Sequence, residues 1–130
     1  MNKHFITFVI AILLIAVGLS GCTNEQNNNE IDPEMARFVG NWKEMGEDIS
    51  GQTVETGQIT FSNDGAGQAN ITFLPENFNY NLSNGRIYIT MLGDETPVIF
   101  NYTFTNNDSE LTLAHITIEV LIINLVKDSN

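Results

Sequence analysis

The sequence predicts an all-β protein, a single small antiparallel up-and-down barrel of about eight strands behind an N-terminal leader and a polar connecting segment. Three observations carry this expectation. Beyond residue 40, apolar side chains recur at every second position far more often than at helical spacing. Clusters of Gly, Asn, Asp, Ser and Pro interrupt the alternation every 8 to 12 residues or so. The part of the 130-residue chain with this rhythm is about 95 residues long, enough for one core and not for two.

The strands follow in order. The first covers about 41–46, directly behind Gly40, and carries Trp42. The second, about 52–62, puts Ile59 and Phe61 on one face, and the run from Ser62 through Asp64-Gly65 turns the chain into a hairpin. The third, about 66–73, places Ala69, Ile71 and Phe73 on one face before Pro75 stops it. The fourth, about 78–82, alternates Phe78, Tyr80 and Leu82 with asparagines. Asn84-Gly85 then leads into the fifth, about 86–91, with Ile87, Ile89 and Met91 inward. The sixth, about 97–104, alternates Val98, Phe100, Tyr102 and Phe104. The aromatic interior lining so defined is Phe61, Phe73, Phe78, Tyr80, Phe100, Tyr102 and Phe104.

The tail contains no Gly or Pro between residues 114 and 127 to mark a turn. Its strands are read as about 111–118 and 119–127, either one long bent strand or two joined by a tight turn near Glu119. Val120 to Ile123 is a continuous apolar run in which three of four residues are β-branched, which favours strand.

The front of the chain is built differently. Lys3 precedes 15 nearly all-apolar residues, 5–19, followed by small Ser20 and Gly21. That is the layout of a signal peptide, and it falls short of the roughly 20 apolar residues of a spanning helix. Leu19-Ser20-Gly21-Cys22 resembles the lipobox of prokaryotic lipoproteins. The resemblance implies a diacylglycerol thioether on Cys22, cleavage between Gly21 and Cys22, and a chain anchored by lipid to the extracytoplasmic side of the cell membrane. Cys22 is the single cysteine, so a lipidated chain has no thiol left for a disulfide, a thiolate metal site or a nucleophile. The organisation expected is leader 1–21, lipidated Cys22 and Asn-rich tether 22–36, and barrel 37–130. Thr23 to Asp32 holds one apolar residue and three consecutive asparagines, too little to offset the entropy of ordering.

Charge narrows the partners. The formal charge is −11, and removing residues 1–21 takes away Lys3 and no acid, leaving 4 − 16 = −12. Such a balance opposes nucleic-acid binding and close adhesion to anionic lipid headgroups. Chemistry-bearing side chains are few. His115 is the one histidine outside the leader and reads as a partly exposed sheet residue. No Ser-His-Asp or Cys-His set is possible without His115, and no other histidine could complete a zinc site. Glu47-Asp48, Asp94-Glu95 and Asp108 with Glu110 fall in expected turns, where carboxylates are ordinarily solvated caps. No catalytic residue, cofactor or metal is assigned.

Gly40-Asn41-Trp42 is similar to the Gly-X-Trp motif that opens lipocalin-type barrels, and the strand succession over about 37–127 resembles the small lipocalin-like domains of prokaryotic lipoproteins. The resemblance implies that Trp42 packs at the closed end of the barrel beneath a basic residue of the last strand, for which Lys127 is the late candidate. It makes Gly40, Trp42 and Lys127 the barrel-closing set. The function expected is non-catalytic: an anchored envelope protein whose barrel binds a small hydrophobic ligand or a partner. The alternative is a structural or inhibitor-type lipoprotein with a filled barrel that meets another envelope protein through its loops.

Overall fold

The computed structural model describes residues 30–129, and in it the period-two pattern closes on itself. Eight antiparallel strands, β1 (Gly40–Glu47), β2 (Thr53–Phe61), β3 (Ala66–Asn70), β4 (Asn77–Ser83), β5 (Arg86–Met91), β6 (Val98–Thr105), β7 (Glu110–His115) and β8 (Ile122–Lys127), pair in chain order as a closed barrel. Closure is made by β8 against β1, with Trp42 opposite Lys127 and Glu44 opposite Leu125. A short helix, α1 (Pro33–Phe38), precedes β1. The leader, the cleavage between Gly21 and Cys22 and the lipid on Cys22 lie outside the described residues.

Up-and-down order gives the barrel two unlike ends. At the near end β1 begins, β8 finishes, and the β2–β3, β4–β5 and β6–β7 turns are tight. Asn84 and Gly85 between β4 and β5 have φ of +53° and +71°, the left-handed pair of a two-residue hairpin whose twist matches its strands. Between β6 and β7, Asn106, Asn107 and Asp108 are all left-handed, a conformation these short polar side chains tolerate best among non-glycine residues. The far end carries the longer β1–β2, β3–β4, β5–β6 and β7–β8 loops.

The inward positions supply the core. Trp42, Ile59, Phe61, Phe78, Tyr80, Ile87, Ile89, Phe100, Leu111, Leu113, Ile123 and Leu125 are all buried. Alternation large against small lets the rings fit: Gly67 lies opposite Phe78 in register, and the Phe78 ring occupies the space a β-carbon at Gly67 would need. Among the described residues every buried side-chain nitrogen or oxygen has a hydrogen-bond partner.

Several expectations are corrected. Phe73 does not line the interior: it is 59% exposed. β3 leaves the ladder at Asn70, where Asn70 and Ile71 close over Gly57, and the next inward slot is taken by Leu74, which is buried. Alternation lapses once the ladder ends, so Pro75 follows the end of the strand by several residues. Met91 keeps inward parity but sits at the mouth, half exposed. The tail forms two strands joined by a turn containing Glu119; Val120 lies in that turn, exposed, and the apolar run is strand only from Ile122. Finally, α1 spans the expected boundary at residues 36 and 37, so residues 33–36 of the stretch read as tether are helical.

Candidate functional site

The barrel-closing residues meet at the near end. Trp42 is fully buried and its Nε1–H donates to the Phe38 carbonyl at 2.7 Å. The Lys127 ammonium stands 5.2 Å from the centre of the Trp42 ring and donates to the Arg37 carbonyl at 3.4 Å. Gly40 makes this crossing feasible: its φ is +130°, and a β-carbon there would lie 3.3 Å from Lys127 Cε. Gly40, Trp42 and Lys127 are thus one cluster.

The sequence reading missed the other half of that cluster. Asp32 caps α1 by accepting from the Glu34 amide at 2.9 Å, Pro33 starts it, and Arg37 stands in its last turn. The helix drives Phe38, fully buried, into the barrel end. Its ring meets Tyr102 and Phe104 at centroid distances of 4.9 Å, Phe61 at 5.5 Å and Tyr80 at 6.3 Å. Arg37 lies over the Phe104 ring at 4.1 Å and forks onto both Asp108 carboxylate oxygens at 2.8 and 3.1 Å. It also donates to Glu34 at 3.0 Å, whose carboxylate accepts from the Tyr102 hydroxyl at 2.9 Å. Arg37 holds the Asp108 carboxyl below the ordinary carboxylate range, through these hydrogen bonds first. The network is largely solvent-facing and orients the helix more than it stabilises it.

Of the aromatic lining, Phe61, Phe78, Tyr80 and Phe100 are buried, while Tyr102 and Phe104 are partly buried beneath α1. The Tyr80 hydroxyl donates to the Ser62 carbonyl at 2.7 Å. Burial, and then the nearby Asp64, push it up to about 12. Tyr102 is pushed to about 12 as well, by burial first and then by its bond to Glu34. An eight-stranded barrel is just wide enough for side chains to fill, and Phe61, Phe78, Tyr80 and Phe100 are buried within it. A recess of about 560 Å³ opens instead on the wall over β2, β3 and β4, lined by Gln58, Thr60, Gln68, Asn70, Glu76 and Asn77 with Ala69, Ile71 and Leu74.

The far end presents the opposite character. Ile49, Phe73, Leu92 and Val120 project from the four loops, at 110, 59, 57 and 91% exposure. Beside them stand the carboxylates Asp48, Glu76, Asp94, Glu95 and Glu119, with Glu47 at the end of β1. Asp48 Oδ1 braces its loop by accepting from Ser50 N and Oγ at 2.8 and 2.6 Å and from Gln52 N at 3.0 Å. Those bonds, the Ser50 side chain foremost, keep its carboxyl below the usual range. His115 does the same for the last loop: Nδ1 accepts from the amides of Thr117 and Ile118 at 3.1 and 3.0 Å. Its ring stands edge-on to Phe100 at 5.4 Å.

Of the acid pairs, Glu47-Asp48 and Asp94-Glu95 stand at the far end, while at the near end Asp108 is held by Arg37 and Glu110 accepts from Thr105 and Asn106. Among the described residues no three or more His, Cys, Asp or Glu converge closely enough to hold a metal ion, and no helix is long and apolar enough to cross a membrane. Comparison with known protein families, with curated proteins and with solved structures gives no match.

Proposed function

We propose that this chain is a cell-envelope lipoprotein, cleaved before Cys22 and anchored there by lipid, whose lipocalin-like barrel is a non-catalytic module that binds another protein through its loops. The anchor rests on the Leu19-Ser20-Gly21-Cys22 resemblance. Two acyl chains would supply durable attachment, since each buried methylene contributes about 0.8 kcal/mol. The observation that carries the choice of a protein partner over a small apolar ligand is the burial of large side chains throughout the interior. Trp42, Phe38, Ile87, Ile89, Phe100 and Leu113 have no exposed surface, and Phe38 packs against four other rings at the near end. A ligand site of this kind is ordinarily a cavity of several hundred Å³ within the barrel.

Two measurements test the reading. Cys22→Ser, followed by cell fractionation, is expected to move the protein out of the membrane fraction; unchanged retention of fully processed chain would refute the lipid anchor. A native mass spectrum of the protein extracted from its membrane is expected to show the acylated chain without a stoichiometric small molecule. One apolar ligand per barrel would refute the filled-barrel reading.

A further inference from the structure

We infer that the far-end rim is a docking face for a protein whose contact surface is apolar at its centre and bordered by Lys and Arg. This rests on the protein-binding reading and adds to it the face used and the chemistry of the partner.

The first support is the placement of apolar surface. Of the ten large apolar side chains exposed among the described residues, eight are at the far end: Ile49, Phe73, Met91, Leu92, Ile116, Ile118, Val120 and Ile122. Exposed apolar residues scattered singly are ordinary, whereas a cluster on one face marks an interaction site. Every far-end loop contributes at least one, although the loops differ in sequence.

The second support is that the tips are held outward. In the β3–β4 loop, buried Leu74 anchors the chain and its neighbour Phe73 is thrown out. In the β7–β8 loop, Leu121 packs on the core, His115 fixes the Thr117 and Ile118 amides, and Val120 stands clear. Asp48 braces the loop that carries Ile49. A pre-shaped display of this kind lowers the ordering cost of association.

Charge then selects the occupant. The rim carries Glu47, Asp48, Glu76, Asp94, Glu95 and Glu119. The cations of the described chain are elsewhere: Arg37, Arg86 and Lys127 at the near end, and Lys43 on the wall near Glu55 and Asp128. A cationic partner surface complements this ring, while an anionic bilayer or a second rim of the same kind would be repelled. Residues 1–29 join the barrel through α1 at the near end, so the rim points away from that junction.

The test is photo-cross-linking in the native host with the full chain. p-Benzoylphenylalanine replaces Phe73 or Val120 on the rim, or Thr103 or Asn124 on the exposed wall. The expected result is one protein adduct of common mass from both rim positions and none from the wall, with the cross-linked partner peptide flanked by Lys or Arg. Val120→Asp in the Phe73-labelled chain should lower adduct yield at least tenfold. Glu95→Gln and Glu119→Gln should each lower it about two- to fivefold, as should 1 M salt applied to isolated membranes. Unchanged thermal melting of the variants separates lost docking from lost folding. Adducts from the wall alone would overturn the inference and the assignment of binding to the loops, and would spare only the choice of a protein over a small ligand. Rim adducts of lipid mass, or of twice the chain's own mass, would assign the face to the bilayer or to self-association and overturn it. Protein adducts indifferent to the carboxylate changes would refute the charge argument, and no adduct at any position would refute both readings.

Discussion

Replacing Phe38 by alanine should be among the most damaging single changes available to this chain. The side chain is fully buried at the barrel end and touches four other rings at 4.9 to 6.3 Å. Truncating a buried Phe to Ala ordinarily costs about 3–5 kcal/mol, the lost transfer energy plus a cavity. Here collapse is restricted: the walls of the cavity are β-strand residues fixed by register, and only α1 could settle inward. A cost of about 3–4 kcal/mol follows, because part of the gap opens toward the helix. For a domain of about 100 residues that lowers Tm by about 15–25 °C. The assay is equilibrium denaturation followed by the fluorescence of Trp42, the single tryptophan. The probe survives the substitution, since its indole donates to the Phe38 main-chain carbonyl and not to the ring. Phe38→Leu should recover more than half of the loss. A cost under 1 kcal/mol for Phe38→Ala, with an unshifted emission maximum, would show that α1 does not seal the barrel.

Three further expectations follow from the same packing. Gly40→Ala should destabilise by about 2–3 kcal/mol, because φ near +130° is essentially a glycine conformation and the added carbon meets Lys127. Gly85→Ala, left-handed at +71° with open space around it, should cost only about 1 kcal/mol; equal losses in urea titrations would refute the distinction. Tyr80, held near 12 against an ordinary value of 10, contributes stability that is complete below about pH 10 and is lost as pH rises through about 12. The contribution is on the order of 2 kcal/mol, and Tyr80→Phe should flatten the loss of stability between pH 10 and 12. His115→Ala should speed hydrogen exchange at the Thr117 and Ile118 amides, which lose their acceptor, with little effect on β4 and β5; unchanged exchange would refute the brace.

Where the chain obeys a single period, its sequence is transparent. Phe78, Tyr80, Ile87, Ile89 and Phe100 are inward because strand parity leaves no other choice, and Asn84-Gly85 marks its hairpin through the left-handed pair it must adopt. Legibility fails where pairing ends. Phe73 has the parity of an inward residue, yet parity has no meaning past Asn70, where the strand stops. Val120 is β-branched and apolar, and still occupies a turn, because β8 takes its register from Ile122 onward against Ala114. The helix α1 shows in the sequence only through its start signals: Asp32-Pro33-Glu34 is an N-cap, an N1 proline and a first-turn acid, but six residues are too few to show helical periodicity. The rim could not be read at all. Its residues are apolar in sequence like those of the core, and only three-dimensional placement separates exposed Ile49 and Leu92 from buried Ile59 and Leu113.

On the proposed reading the two ends of this barrel do different work, and the difference between their connections supports it. Near-end turns are as short as the two residues 84–85, whereas far-end loops run to the six residues 116–121. Short turns rich in left-handed Asn and Gly, together with α1, fix strand register, and register determines which residues make the core. Far-end loops carry little of that burden, so their composition is free to answer to something other than folding. If folding alone had shaped them they would be polar, as surface loops are, since an exposed Val or Phe adds nothing to the native state. They are instead the most apolar exposed part of the described chain. Stability and recognition should therefore separate by mutation: Phe38→Ala should lower the melting temperature of the barrel while Val120→Asp leaves it unchanged, and only the latter should strip a partner from a barrel of undiminished stability.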